Sequence, residues 1–183
     1  MSRAVRTPAP GGTRPTGRRV FALPRRVRRL MVIAHIAVSV GWWGLSLCLL
    51  ALATTARLSD QPATIQAGYR AMAILAHTLV LPVSVASLLT GLLLSIGRPW
   101  GLTRHYWILA KLILTVAAAI ASNIALPALI GGAVAHLSTG PSGVDTRTAN
   151  GLVIAPAVAV ATYTAIVAIS VLKPWGRIGH RPR

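Results

Sequence analysis

Apolar residues crowd into four stretches of this chain, residues 30–54, 71–96, 106–135 and 152–172, and charge, proline and glycine return between them. A helix needs about 20 predominantly apolar residues to cross ~30 Å of hydrocarbon, and each stretch is long enough. Within them polar positions recur at helical spacing. His35, Ser39, Trp42 and Ser46 follow an i, i+4, i+7, i+11 stripe, and His77, Ser84, Gly91 and Ser95 make a second. Lys111, Thr115, Ala118 and Ser122 make a third, and Ala155, Ala159, Thr162 and Tyr163 a weaker fourth. The pattern predicts an all-α fold, a transmembrane four-helix bundle whose polar stripes face its interior because hydrocarbon offers them no hydrogen bonds. Small residues four apart, such as Ser87, Gly91 and Ser95, let helix backbones approach closely.

The third stretch is irregular. It contains Pro127 and then Gly131-Gly132, and proline removes one backbone bond of the helix ladder. A tilted, bent helix and an outer-side re-entrant turn both fit. Asn123 falls about 120° around that helix from the Lys111 stripe. At mid-membrane depth it needs a partner on another helix.

Composition sharpens the picture. The chain has 183 residues and is 54% hydrophobic, well above a soluble domain of this size. Its formal charge of +17 resembles a nucleic-acid binder's, but the charge is placed differently. Nine arginines, Arg3 to Arg29, precede the first span, and no basic helix with interleaved aromatics accompanies them. Arginine and lysine collect on the cytoplasmic side of membrane proteins. Arg98, Arg104 and Lys111 cluster after the second span, and Lys173, Arg177, Arg181 and Arg183 follow the fourth. The two remaining loops are almost neutral, with Arg57, Asp60 and Arg70 in one and Asp145 and Arg147 in the other. Both termini are therefore expected inside. Trp100, Tyr106, Trp107 and Trp175 fall at the same inner boundary, where amphipathic rings prefer to sit.

Residues 1–29, with Pro8, Pro10, Gly11, Gly12, Pro15, Gly17 and Pro24 among the arginines, read as a disordered basic cytoplasmic tail. Residues 173–183 read as a second basic tail. A twin-arginine signal at Arg18-Arg19-Val20-Phe21 is argued against by Pro24 and four further arginines before the apolar run. Seventeen arginines against two lysines, with abundant alanine and glycine, suggest a high-GC bacterial genome. The expected setting is the bacterial plasma membrane. The expected partners are the bilayer, anionic headgroups at the N-terminal arginines, and a second copy or another membrane protein, rather than nucleic acid.

The candidate chemistry is thin. There is no glutamate, and the two acids, Asp60 and Asp145, lie in outer loops. That leaves no intramembrane carboxylate relay and no carboxylate pair for acid–base work. The expectation is a non-enzymatic membrane protein with no catalytic residues, no resident cofactor and no metal. Cys48, alone, forms neither an intrachain disulfide nor a CxxC site. The alternative is a small-molecule or metal-handling component, with His35, Ser39, Trp42, His77 and Ser84 as bundle-interior candidates. A third reading, a haem-b redox subunit, meets a depth problem. By helical rise His35 lies roughly 7 Å above the inner boundary and His77 roughly 10 Å below the outer one. The nearest pairings, His35 with His105 and His77 with His136, do not share a height. Trp42 and Trp43 lie too deep for the inner aromatic belt and are expected to fill a gap between helices.

Four segments carry a family resemblance: Ala34-His35-Ile36-Ala37-Val38-Ser39-Val40-Gly41-Trp42-Trp43-Gly44, Leu89-Thr90-Gly91-Leu92, the run from Trp100 to Trp107 with Lys111, and Lys173-Pro174-Trp175-Gly176. From Arg28 to Gly176 the chain resembles a family of small, uncharacterised four-span membrane proteins of high-GC Gram-positive bacteria. That resemblance implies the architecture and no chemistry. The histidine followed seven residues later by Trp-x-Gly also resembles the copper-resistance membrane family, which would imply metal handling. That family's methionine- and histidine-rich clusters are absent here.

Overall fold

The computed structural model describes residues 24–96, 106–137 and 144–172. All of their regular structure is helical. Helix α1 spans Arg25–Leu58, α2 Pro62–Leu75, α3 Leu81–Ile96, α4 Tyr106–His136 and α5 Thr146–Leu172. A π-helical turn, Ala76–Val80, joins α2 to α3, so that Pro62–Ser95 forms one continuous rod. The chain is thus a multi-pass membrane protein of four rods, each long and apolar enough to cross a bilayer. No more than 28% of the most apolar window of any rod is buried inside the protein. Leu30, Ile33, Ile36, Val40, Ile74, Leu93, Ile113, Ile124 and Val171 all lie exposed. An apolar surface this continuous is untenable in water and ordinary against lipid.

The rods outrun the apolar stretches. Residues 25–29, expected within a disordered tail, are helical: Pro24 flanks the start and its carbonyl accepts the Arg28 N–H at 3.0 Å. Arginine is a good helix former, and the charged turns project beyond the hydrocarbon. The rest of that tail, residues 1–23, lies outside the described residues, as do the second tail and Trp100. Residues 55–70, expected as a loop, shrink to a turn at Ser59–Gln61. Its Gln61 N–H bonds Ser59 Oγ at 3.1 Å, and Pro62 opens α2 at a position where its missing N–H costs nothing. The polar residues of this segment stay helical because α1 and α2 pack on each other here. At Gly68 an added Cβ would stand 3.0 Å from Ala56 Cβ and 3.3 Å from the Leu52 carbonyl. A side chain here would need α1 to give by a few tenths of an ångström, so glycine suits so close a crossing.

Pro82 explains the π turn. Its ring excludes the carbonyl four residues back and it has no N–H to donate. Widening the ladder over Ala76–Val80 relieves that conflict, as π-bulges do. In α4, by contrast, the helix continues through Pro127 and Gly131-Gly132, so the re-entrant alternative does not hold. Asp145 caps α5 by accepting the Thr148 N–H. That bond, and then the Thr148 hydroxyl, hold its carboxyl below the usual carboxylate range.

α1 packs against α2, α3 and α5, and α4 against α5 and α2, while α3 meets α4 only sparingly. One apolar core lies toward the α1–α2 turn, built around Leu49, Ala53, Tyr69, Met72, Val80, Ile130 and Leu152. A smaller one holds Trp42, Ala119 and Tyr163. At the same turn Arg57 Nε donates to Asn150 Oδ1 at 3.1 Å, tying α1 to α5.

Candidate functional site

Polar side chains pair off in a ladder along the interior. His35 Nδ1 lies 2.9 Å from Thr90 Oγ1, Ser39 Oγ lies 3.1 Å from Ser87 Oγ, and Asn123 Nδ2 donates to Ser84 Oγ at 2.9 Å. The antiparallel run of α1 and α3 produces this spacing. Advancing one turn along α1, from 35 to 39, matches stepping back along α3 from 90 to 87. Thr90 already donates its proton to the Ala86 carbonyl at 2.6 Å. Its oxygen is therefore the acceptor for His35, which places the imidazole proton on Nδ1 and leaves Nε2 as an acceptor. The ring lies hard against α3: a Cβ at Gly91 would meet His35 Cε1 at 3.0 Å.

Asn123 finds the partner on another helix that its depth demands. Ser84, fully buried, relays the bond to its own Leu81 carbonyl at 3.0 Å. The Asn123–Ser84 contact bridges the sparse α3–α4 seam. Interhelical bonds of this kind in a bilayer average about 0.6 kcal/mol and reach about 1.7. Asn123→Ala should therefore lower stability by about 1 kcal/mol in bicelles. A Ser84→Ala/Asn123→Ala cycle should be non-additive. Additive losses would show the bond to be idle.

Toward the middle of the bundle the tryptophan pair divides. Trp42 is buried and stacks on Tyr163 of α5, with ring centroids 4.6 Å apart and planes inclined by 43°. Trp43 is exposed and its Nε1 donates to Thr164 Oγ1 at 3.2 Å. Tyr163 in turn hydrogen-bonds Ser122 of α4 across 3.3 Å. Beside these groups lies a cavity of about 230 Å³, walled by Trp42, Leu45, Ser46 and Leu49 of α1, Ala121, Ser122 and Ala125 of α4, and Ala155, Val158, Ala159 and Thr162 of α5.

Four of the five interior candidates take different partners: His35 and Ser39 meet Thr90 and Ser87 of α3, Ser84 meets Asn123 of α4, and Trp42 meets Tyr163 of α5. The fifth, His77, sits on the π turn with its side chain exposed. The π turn inserts one extra residue into the ladder, which rotates everything before it by about 100° relative to an unbroken helix. The stripe that joined His77 to Ser84 assumed no such break. His77 also stands thirteen residues from Thr90 along one rod, ~20 Å by helical rise, so His35 and His77 cannot ligate one metal ion. His105 lies outside the described residues. Among the described residues no three His, Cys, Asp or Glu side chains converge. Sequence reasoning gave Thr90 no part in the interior network, read Ser87 as a small packing residue and placed Tyr163 only on the weaker fourth stripe. Their spacing was visible, but their pairing depends on how the helices are rotated against one another.

No protein-family model, curated protein or solved structure matches this chain.

Proposed function

We propose that the chain is a non-enzymatic component of the bacterial plasma membrane, with both termini in the cytoplasm and the first turns of α1 seated among anionic lipid headgroups. The observation that carries this reading is the helical start at Arg25. It arrays Arg25, Arg26, Arg28 and Arg29, all exposed, around the end of a membrane-crossing rod. A basic residue near an anionic surface contributes about 1 kcal/mol. Both acids of the chain, Asp60 and Asp145, stand at the opposite end of the bundle. Positive charge inside and acid outside is the arrangement that orients such proteins. The resemblance to small four-span proteins of Gram-positive bacteria agrees with this setting.

The non-enzymatic reading is supported by how the interior polar groups are used. Hydroxyls bond one another or the carbonyl one turn back, as Ser46, Thr54, Thr115 and Ser170 do. The exposed His77 imidazole, about halfway along its rod, is the polar group that a second copy or another membrane protein would cover.

Spin-labelled lipids test the headgroup contact. In mixed bilayers the protein should enrich phosphatidylglycerol over phosphatidylcholine, and replacing the four arginines by glutamine should reduce that selectivity several-fold. Selectivity that survives the replacement would refute the assignment.

A further inference from the structure

The cavity beside Trp42 stands apart from the polar ladder, none of whose members lines it. The midpoints of α1, α4 and α5 fall close to Trp42, Ala121 and Ala159, so it lies near the middle of the bilayer. Its exposed wall residues, Ala121, Ala125 and Val158, belong to α4 and α5, so its mouth opens sideways to lipid along that seam. At about 230 Å³ it exceeds the roughly 150 Å³ apolar cavity that accepts benzene.

Two features of its wall ask for something more than hydrocarbon. Trp42 is only 3% exposed, yet its indole N–H meets no acceptor among the described residues, whereas that of Trp43 does. Buried indole N–H groups normally find a partner. Ser122 of the wall and Tyr163, which stacks on Trp42 behind it, carry two O–H protons and share a single hydrogen bond, so one proton of this buried pair is also left over. The other wall hydroxyls, Ser46 and Thr162, donate to their own helices. The site therefore offers unmatched donors and no charge, inside an apolar chamber reached from the membrane.

We propose that this cavity binds a neutral, mainly apolar ring compound bearing a carbonyl acceptor, which enters laterally between α4 and α5. The ring fills the alanine-lined chamber beside Trp42, and the carbonyl accepts from the donors of the α1–α4–α5 wall. The site is independent of the headgroup contact, which lies at the end of α1.

The test uses the full chain in phosphatidylcholine vesicles with Trp42 as the only tryptophan, Trp43, Trp100, Trp107 and Trp175 being replaced by phenylalanine. The probe is 2,3-dimethyl-1,4-naphthoquinone, a fluorescence quencher whose ring has no open position for the exposed Cys48 thiol to attack. Quenching of Trp42 should saturate. The Ser122→Ala/Tyr163→Phe double variant should weaken the apparent affinity about three- to tenfold, the worth of one hydrogen bond. Ala159→Phe should plug the chamber and abolish the saturable component. Should that variant lose helicity, Ala125→Val makes the same test with less added bulk and should weaken saturable quenching. The proposal fails if quenching rises linearly with the quinone and is indifferent to the plug, which is collision from the bilayer. It also fails if 2,3-dimethylnaphthalene, lacking the carbonyls, competes as well as the quinone binds.

Discussion

Gly68→Leu is expected to lower the stability of the bundle by about 2–3 kcal/mol, in the range that overpacking costs. A single Cβ at this position would already press on Ala56 Cβ at 3.0 Å and on the Leu52 carbonyl at 3.3 Å. The carbonyl belongs to α1's own backbone ladder and cannot swing aside. A leucine must therefore push α1 and α2 apart, and Tyr69 and Met72, both buried at this crossing, lose contacts with it. Gly68→Ala should be milder, because alanine favours the helix by about 1 kcal/mol over glycine and offsets part of the clash. Adding Ala56→Gly to Gly68→Ala should recover stability, since it clears the closest contact. Steric-trap unfolding in bicelles measures all three. If Gly68→Leu matched the wild-type protein, the close crossing described for α1 and α2 would be wrong.

Trp42→Ala should cost about 2 kcal/mol. In water the loss of a buried tryptophan costs about 3–5 kcal/mol, but part of that is transfer out of water. Helices separated in a bilayer are already in hydrocarbon, so the packing and cavity parts remain. Trp42 stacks on Tyr163 and already borders a void, so its removal enlarges that void rather than letting the helices close. Trp43→Ala, on the lipid-facing side with one bond to Thr164, should cost well under half as much. The comparison, by the same unfolding assay, separates the two neighbouring rings; equal losses would show that Trp42 does not anchor the α1–α5 contact.

The rods were legible because hydrophobic length is a property of the chain alone. The inner stripe of α1, from His35 to Ser46, was legible for the same reason: an unbroken helix keeps its periodicity. Rod ends were not. Thr55 to Arg70 read as a loop by polarity, yet packing at Gly68 keeps it helical to within three residues. His77 was misplaced because Pro82 perturbs the ladder before it, and a 3.6-residue period carries no sign of a π turn. The partners of the stripes stayed hidden for a further reason. That Ser84 faces Asn123, or Trp42 faces Tyr163, is decided by rotation and tilt between rods, which no single stripe contains.

The most direct test of the four-rod account is cysteine accessibility in intact cells, starting from Cys48→Ser. Asp60→Cys and Asp145→Cys, at the α1–α2 turn and the start of α5, should both react with a membrane-impermeant maleimide added outside, while Arg26→Cys should react only after the cells are opened. If Asp60→Cys and Asp145→Cys label on opposite sides, or Arg26→Cys labels from outside, the rods do not cross the membrane as described.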